Sequence, residues 1–271
     1  DGTRVCNANG SAFSSCTGQT LPSAEFCGDD IDNDCNGAAD EFDDPDQDGF
    51  PICDAMGVPV DCCEDFTCAA DPAAVNPGAY DIPNNGVDED CSGSDATSVS
   101  NCDAGIGTQP GDLNDLARAI DLCNFTDPST NFWGVTDVQL TVADGSGAPA
   151  NDSWSVRDGY GNNIDPRYGD RLVVLSTGTA ADRTDNNPGW SAFQDGTDMG
   201  TASDYPQNYG NPAKAPGCKT NTPGMPDPNP AKDSVRLFLE FRAPSNAQSF
   251  TADIYFFSAE YPEYVCSAFN D

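Results

Sequence analysis

The chain has no histidine, and its 11 lysines and arginines face 45 aspartates and glutamates over 271 residues, a formal net charge of −34. Lack of histidine excludes Ser-His-Asp and Cys-His catalysis, histidine-held zinc or copper, and haem attachment of the CxxCH kind. So few bases cannot neutralise phosphates, so nucleic acid is excluded as a partner, and anionic lipid repels the chain. No run of about 18 apolar residues is present, so no direct membrane insertion is expected. The chain begins at Asp1 without a signal peptide, which reads as a processed or trimmed product.

What is abundant is cysteine, 13 in all, with 26 glycines and 21 prolines. Thiols stay reduced in the cytosol, so this density points to disulfides and to an extracellular or cell-surface protein. Thiolate metal clusters would need tight CxxC pairs, and the spacings here are irregular.

The composition breaks near residue 101. Residues 1–101 hold 22 acids, a single base (Arg4) and nine cysteines. Such a segment cannot bury much apolar surface and needs disulfides or bound cations to fold. Residues 102–271 read as a β-rich domain with one short helix. Asp112 can cap a helix over 112–120, with Leu113, Leu116 and Ile120 on one face. Strands are expected over 135–142, over 171–175 (buried on both sides), over 234–241 and through Phe250, Ala252, Ile254 and Phe256. The last two would be joined by a turn at 244–247, and 178–232 is loop-rich. The expected fold is mainly β: a loop-rich, disulfide- and calcium-stapled repeat region over 1–101, then a β-sandwich over 102–271.

Three acidic stretches carry the chemistry. Counted from Asp30, oxygen-bearing side chains fall at Asp30, Asp32, Asp34 and Asn36, with Glu41 at position 12. This is the spacing of a calcium loop of EF-hand type, except that Cys35 stands where the tight-turn glycine belongs. The second stretch, Asp44-x-Asp46-x-Asp48-Gly49-Phe50, has its glycine in place, and Phe50 would give a carbonyl. Its position 12 is Ala55, so the closing carboxylate must come from Asp61, Glu64, Asp65 or Asp71. The third aligns Cys91 with Cys35, which matches Asp88 to Asp32 and Asp90 to Asp34. A solvated acidic face is the plain alternative. The i, i+2, i+4 spacing argues against it, because converging carboxylates repel unless a cation neutralises them. Two or more calcium ions are expected, since magnesium suits flexible all-protein cages less well.

The order Asp46-x-Asp48-Gly49-Phe50, Asp61-Cys62, Asp71-Pro72-Ala73-Ala74-Val75-Asn76-Pro77-Gly78-Ala79 and Gly86-Val87-Asp88-Glu89-Asp90-Cys91 resembles the Asp/Cys-rich metal-binding repeat of bacterial surface proteins. That family is named after a copper-binding outer-membrane protein of methanotrophs. The stretch is also similar to the calcium-binding thrombospondin type 3 repeat. Copper is not carried over, because it wants His, Cys or Met ligands. The second half resembles the choice-of-anchor L domain of secreted bacterial proteins, on 116–120, 133–135, 171–178 and above all 258–271. That resemblance implies a surface or adhesive location and no reaction. The family continues beyond the 258–271 block, so a partner chain, either by self-assembly or as the cleaved remainder of a precursor, is expected to complete the β domain.

Of the cysteines, Cys102 is expected to pair with Cys123 and Cys218 with Cys266. Adjacent Cys62 and Cys63 should take different partners, with Cys53 and Cys68 nearest. The odd count in 1–101 leaves one thiol over. Two function classes follow. One is a calcium-stabilised structural or adhesive surface protein that is not an enzyme. The alternative is a secreted carbohydrate-binding or carbohydrate-processing protein, using Glu260 and Glu263 or the 158–163 loop toward surface glycans.

Overall fold

The computed structural model describes residues 27, 30–33, 35, 37–39, 44–54, 60–64, 66–190, 199–204 and 231–257. The chain divides into two compact units, Asp1–Ser98 with Ser245–Ala247, and Val99–Pro244 with Gln248–Asp271. Regular structure is mainly strand, with little helix and long irregular connections. Among the described residues no helix is long and apolar enough to cross a membrane.

The first unit has few apolar side chains to bury. Among the described residues, those buried include Phe50, Cys53, Cys63, Pro72, Val75 and Ala79, alongside the polar Asp61, Asn76 and Glu89. Covalent links make up for this: Cys27–Cys53, Cys62–Cys91 and Cys63–Cys68. Cys62 and Cys63 thus part company, but Cys53 goes to Cys27 and not to either of them. Cys35 is the free, exposed thiol among the described residues. Asn76, fully buried, acts as a bracket. Its N–H donates to Glu89 O at 2.8 Å, its Nδ2 to Ala73 O at 3.1 Å, and its Oδ1 accepts from Gly78 N and Ser245 Oγ. Asn246 completes the frame by exchanging two hydrogen bonds with the Tyr80 backbone.

The second unit is built on strands. Helix α1 (Asn114–Arg118) starts where Asp112 Oδ1 accepts the Asn114 N–H at 3.0 Å. Strand β1 (Gly134–Thr141) runs antiparallel to β6 (Arg236–Arg242), from Gly134 opposite Arg242 to Thr141 opposite Arg236, with a bulge between Val135 and Asp137. Strand β2 (Trp154–Arg157) pairs antiparallel with β3 (Leu172–Leu175), and the short β4 (Ala202–Ser203) with β5 (Ala231–Lys232). One core joins α1, β1, β2, β3 and β6. Leu116 and Ala119 meet Leu140 of β1 and Val156 of β2, with Val138, Trp154, Val173, Val235 and Leu237 packed around. Beside the core lies a buried ion pair, Arg157 with Asp185 at 2.7 Å. The remaining guanidinium donors reach Ser155 Oγ and the carbonyls of Ala180 and Pro188, so the buried charge is fully partnered.

Three expectations change here. The apolar face of the helix is narrower than its spacing suggests: Leu116 is buried while Leu113 and Ile120 stay exposed, Ala119 filling the contact. β3 has one ladder neighbour and is only half-buried, with Leu175 exposed. Residues 248–257 form no strand, and Phe250, Ile254, Tyr255, Phe256 and Phe257 face outward. The pairing of Cys102 with Cys123 is as expected. Cys218 with Cys266, Glu260, Glu263 and the 258–271 block lie outside the described residues.

Candidate metal centre

Among the described residues, one turn is built three times in the first unit. An aspartate carboxylate folds forward onto the backbone N–H of a glycine five residues on: Asp32 onto Gly37 at 2.9 Å, Asp44 onto Gly49 at 3.0 Å, and Asp88 onto Gly93 at 2.8 Å. In each, the residue at i+3 is left-handed (Cys35, Gln47, Cys91), and so is the glycine. Glycine takes a positive φ without steric cost, which is why the turn closes there. The geometry corrects the register of the first stretch. Its loop starts at Asp32, its turn glycine is Gly37, and Cys35 does not stand in the glycine's place. The signal was present as Asp32-x-Asp34-x-Asn36-Gly37. Asp30 precedes the loop, and Asp34, Asn36 and Glu41 lie outside the described residues.

The second loop draws in the strongest cluster. Oxygens of Asp44, Asp46 and Asp48 lie within 4.8 Å of one another, as do those of Asp46, Asp61 and Glu64. Asp44 also accepts from the Asp48 N–H at 3.1 Å, and Asp48 from the Phe50 N–H at 2.8 Å. Asp61 is buried, its Oδ1 held by the N–H groups of Cys62 and Cys63 at 2.6 and 3.3 Å. The two disulfides starting at Cys62 and Cys63 anchor that carboxylate. Five buried carboxylate oxygens here have no hydrogen-bond partner: Asp46 Oδ2, Asp48 Oδ2, Asp61 Oδ2, and both of Glu64. Burial is the main reason these acids hold their protons, with neighbouring carboxylates adding to it. The Asp48 carboxyl is pushed up to about 6, that of Asp61, beside Asp48, to about 7, and that of Glu64, beside Asp61, to about 8. Asp46 is raised by the same cause.

Partnerless buried carboxylate oxygens converging from two chain segments fit a bound cation. The donors are all oxygen, the preference of a hard ion. The sulfurs of Cys62 and Cys91, also near Asp61, are bonded to each other and offer no thiolate. Asp61 and Glu64 thus stand where the missing position-12 carboxylate was sought. Asp65 lies outside the described residues, and Asp71 is exposed and joins no such group among them.

The third loop gathers Asp81, Asp88 and Asp90 within 4.8 Å. Asp81 escaped the sequence reading because it lies seven residues before the loop. Its Oδ2 accepts the Ala96 N–H at 2.7 Å, while its Oδ1 is buried without a partner. Burial raises its carboxyl above the ordinary range. Glu89 caps backbone beside them, accepting from Ile82 N–H at 2.9 Å and from the Asn85 side chain.

Fold and site together define a loop-rich, disulfide-stapled unit built to hold metal ions. Residues 23–41 and 68–96 match the Cu-binding MopE family model, whose description is "Putative metal-binding motif". No curated protein and no solved structure matches the chain.

Proposed function

We propose that this is a calcium-stabilised structural or adhesive protein of the cell exterior, without catalytic activity, in which ions and disulfides hold the acidic unit rigid. The observation that carries it is the set of five partnerless buried oxygens on Asp46, Asp48, Asp61 and Glu64. Calcium is favoured over the copper of the family's name because the donors are carboxylates and the chain has no histidine. Four disulfides fit an oxidising compartment. The resemblance of 102–271 to a surface-protein domain and the outward aromatic residues of 250–257 support pairing with another polypeptide. Calorimetric titration of the chelated protein with calcium and with copper is the test. Tight calcium binding with a raised Tm supports the reading; copper binding without calcium binding rejects it.

A second reading rests on an open groove lined by Tyr160, Asn162, Asp182, Arg183, Thr184 and Trp190. An aromatic ring beside amide and carboxylate groups suits a sugar. Loss of glycan binding in Trp190→Ala would favour this role over a purely structural one.

A further inference from the structure

We propose that the second unit holds a divalent cation of its own, between Asp103 and Asp121, outside the residues matched by the metal-binding motif. Asp103 is fully buried. Its Oδ2 accepts the Asp170 N–H at 2.6 Å, and its Oδ1 is buried with no partner. Asp121 faces it. A Cβ placed on Gly169 would lie 2.5 Å from Asp103 Oδ2 and 2.6 Å from Asp121 Oδ1, so both carboxylates reach toward the same small volume. Among the described residues no lysine or arginine pairs with either acid. Burial, then the Asp103 charge, raises the Asp121 carboxyl.

The local backbone makes Asp121 more telling. The N–H of Asp121 bonds to Arg118 O and that of Leu122 to Ala117 O, the helix-ending pattern whose left-handed position usually takes glycine. Asp121 occupies that position at φ 64°. It also puts a negative charge at a helix C-terminus, where the backbone carbonyls already repel it. A bound cation removes both electrostatic penalties, the acid facing acid and the acid facing carbonyls. The Cys102–Cys123 disulfide, one residue from Asp103 and two from Asp121, fixes the two carriers together. Two carboxylate oxygens turned toward one small volume suit a hard divalent ion, calcium first.

The test uses the full chain, stripped with chelator and titrated with calcium by equilibrium dialysis. Asp121→Asn is expected to bind one ion fewer than the parent. Asp61→Asn, which changes the first unit only, loses a different ion, so the double variant falls short by two. Asp121→Asn is also expected to melt higher than the parent in EDTA and to gain less Tm on calcium addition. Asp103→Asn keeps an acceptor for the Asp170 N–H and should behave alike; if it fails to fold, Asp121→Asn carries the result. An unchanged ion count in Asp121→Asn with a native circular dichroism spectrum overturns the proposal. An equal rise in Tm with and without calcium also overturns it, since that marks two acids sharing a proton. Neither result touches the reading of the first unit, which the Asp61→Asn arm tests separately.

Discussion

The two units of this chain bury opposite things. In the second, Leu116, Leu140 and Val156 form an apolar centre, and the Arg157–Asp185 ion pair has its guanidinium nitrogens partnered. In the first, the central groups are carboxylates whose oxygens lack partners. An oily core holds together in any ionic medium, because its driving force is the removal of apolar surface from water. A core of like charges holds only while something positive sits among them. The difference shows how a segment with 22 acids and one base can still take a defined shape.

Chelation should separate the units most sharply. EDTA is expected to open the first unit to protease around 44–96 while 134–175 stays protected, as limited proteolysis with mass spectrometry would read. Equal digestion of both units would erase the comparison. Next in size is Arg157→Ala. It leaves the partly buried Asp185 with the Asp182 N–H but without its cation and should cost about 3 kcal/mol, seen in denaturant melts with or without calcium. A calcium-dependent loss would mean that this ion pair is energetically coupled to a bound ion.

The effect of pH follows in size. In the ion-free protein the carboxyls of Asp48, Asp61 and Glu64 sit above their ordinary range, at about 6, 7 and 8. The folded state then binds these protons more tightly than the unfolded one. Stability of the ion-free first unit is therefore greatest at acid pH and falls as pH rises from the ordinary carboxylate range through 8. Calcium affinity runs the other way and climbs over the same window, because the ion displaces those protons. Calcium titrations at pH 5.5, 7 and 8.5 check the sign. Gly49→Ala comes last. It forces a side chain into the left-handed region and should cost about 1–2 kcal/mol, all of it in the first unit's transition.

Much of this contrast was legible in the residues. The i, i+2, i+4 acids with glycine after them set the loops, since that spacing alone turns alternate side chains inward. The helix start at Asp112, strands β1 and β6 and the Cys102–Cys123 link were also readable, because each depends on neighbours close in sequence or on clean alternation. The register of the first loop was misread from Asp30 because Asp30 and Asp32 share the same parity, and only the glycine distinguishes them. Residues 250–256 alternate as a strand should. Alternation shows only that a segment could lie on a face; it names no partner, and none of the described strands takes it up. Asp81, Asp103 and the Cys27–Cys53 and Cys62–Cys91 links were beyond reach, since chain path rather than local pattern brings them together.

The three residues Ser245–Ala247 belong to the amino-terminal unit although more than 140 residues intervene. During synthesis the acidic portion emerges before the β-rich portion but cannot be finished until this later segment has followed. Before then Asn76 and Tyr80 lack the hydrogen bonds that Ser245 and Asn246 supply. Maturation of the acidic portion therefore waits on a segment made after most of the β-rich portion, and a chain halted before residue 245 would leave the acidic unit without these contacts.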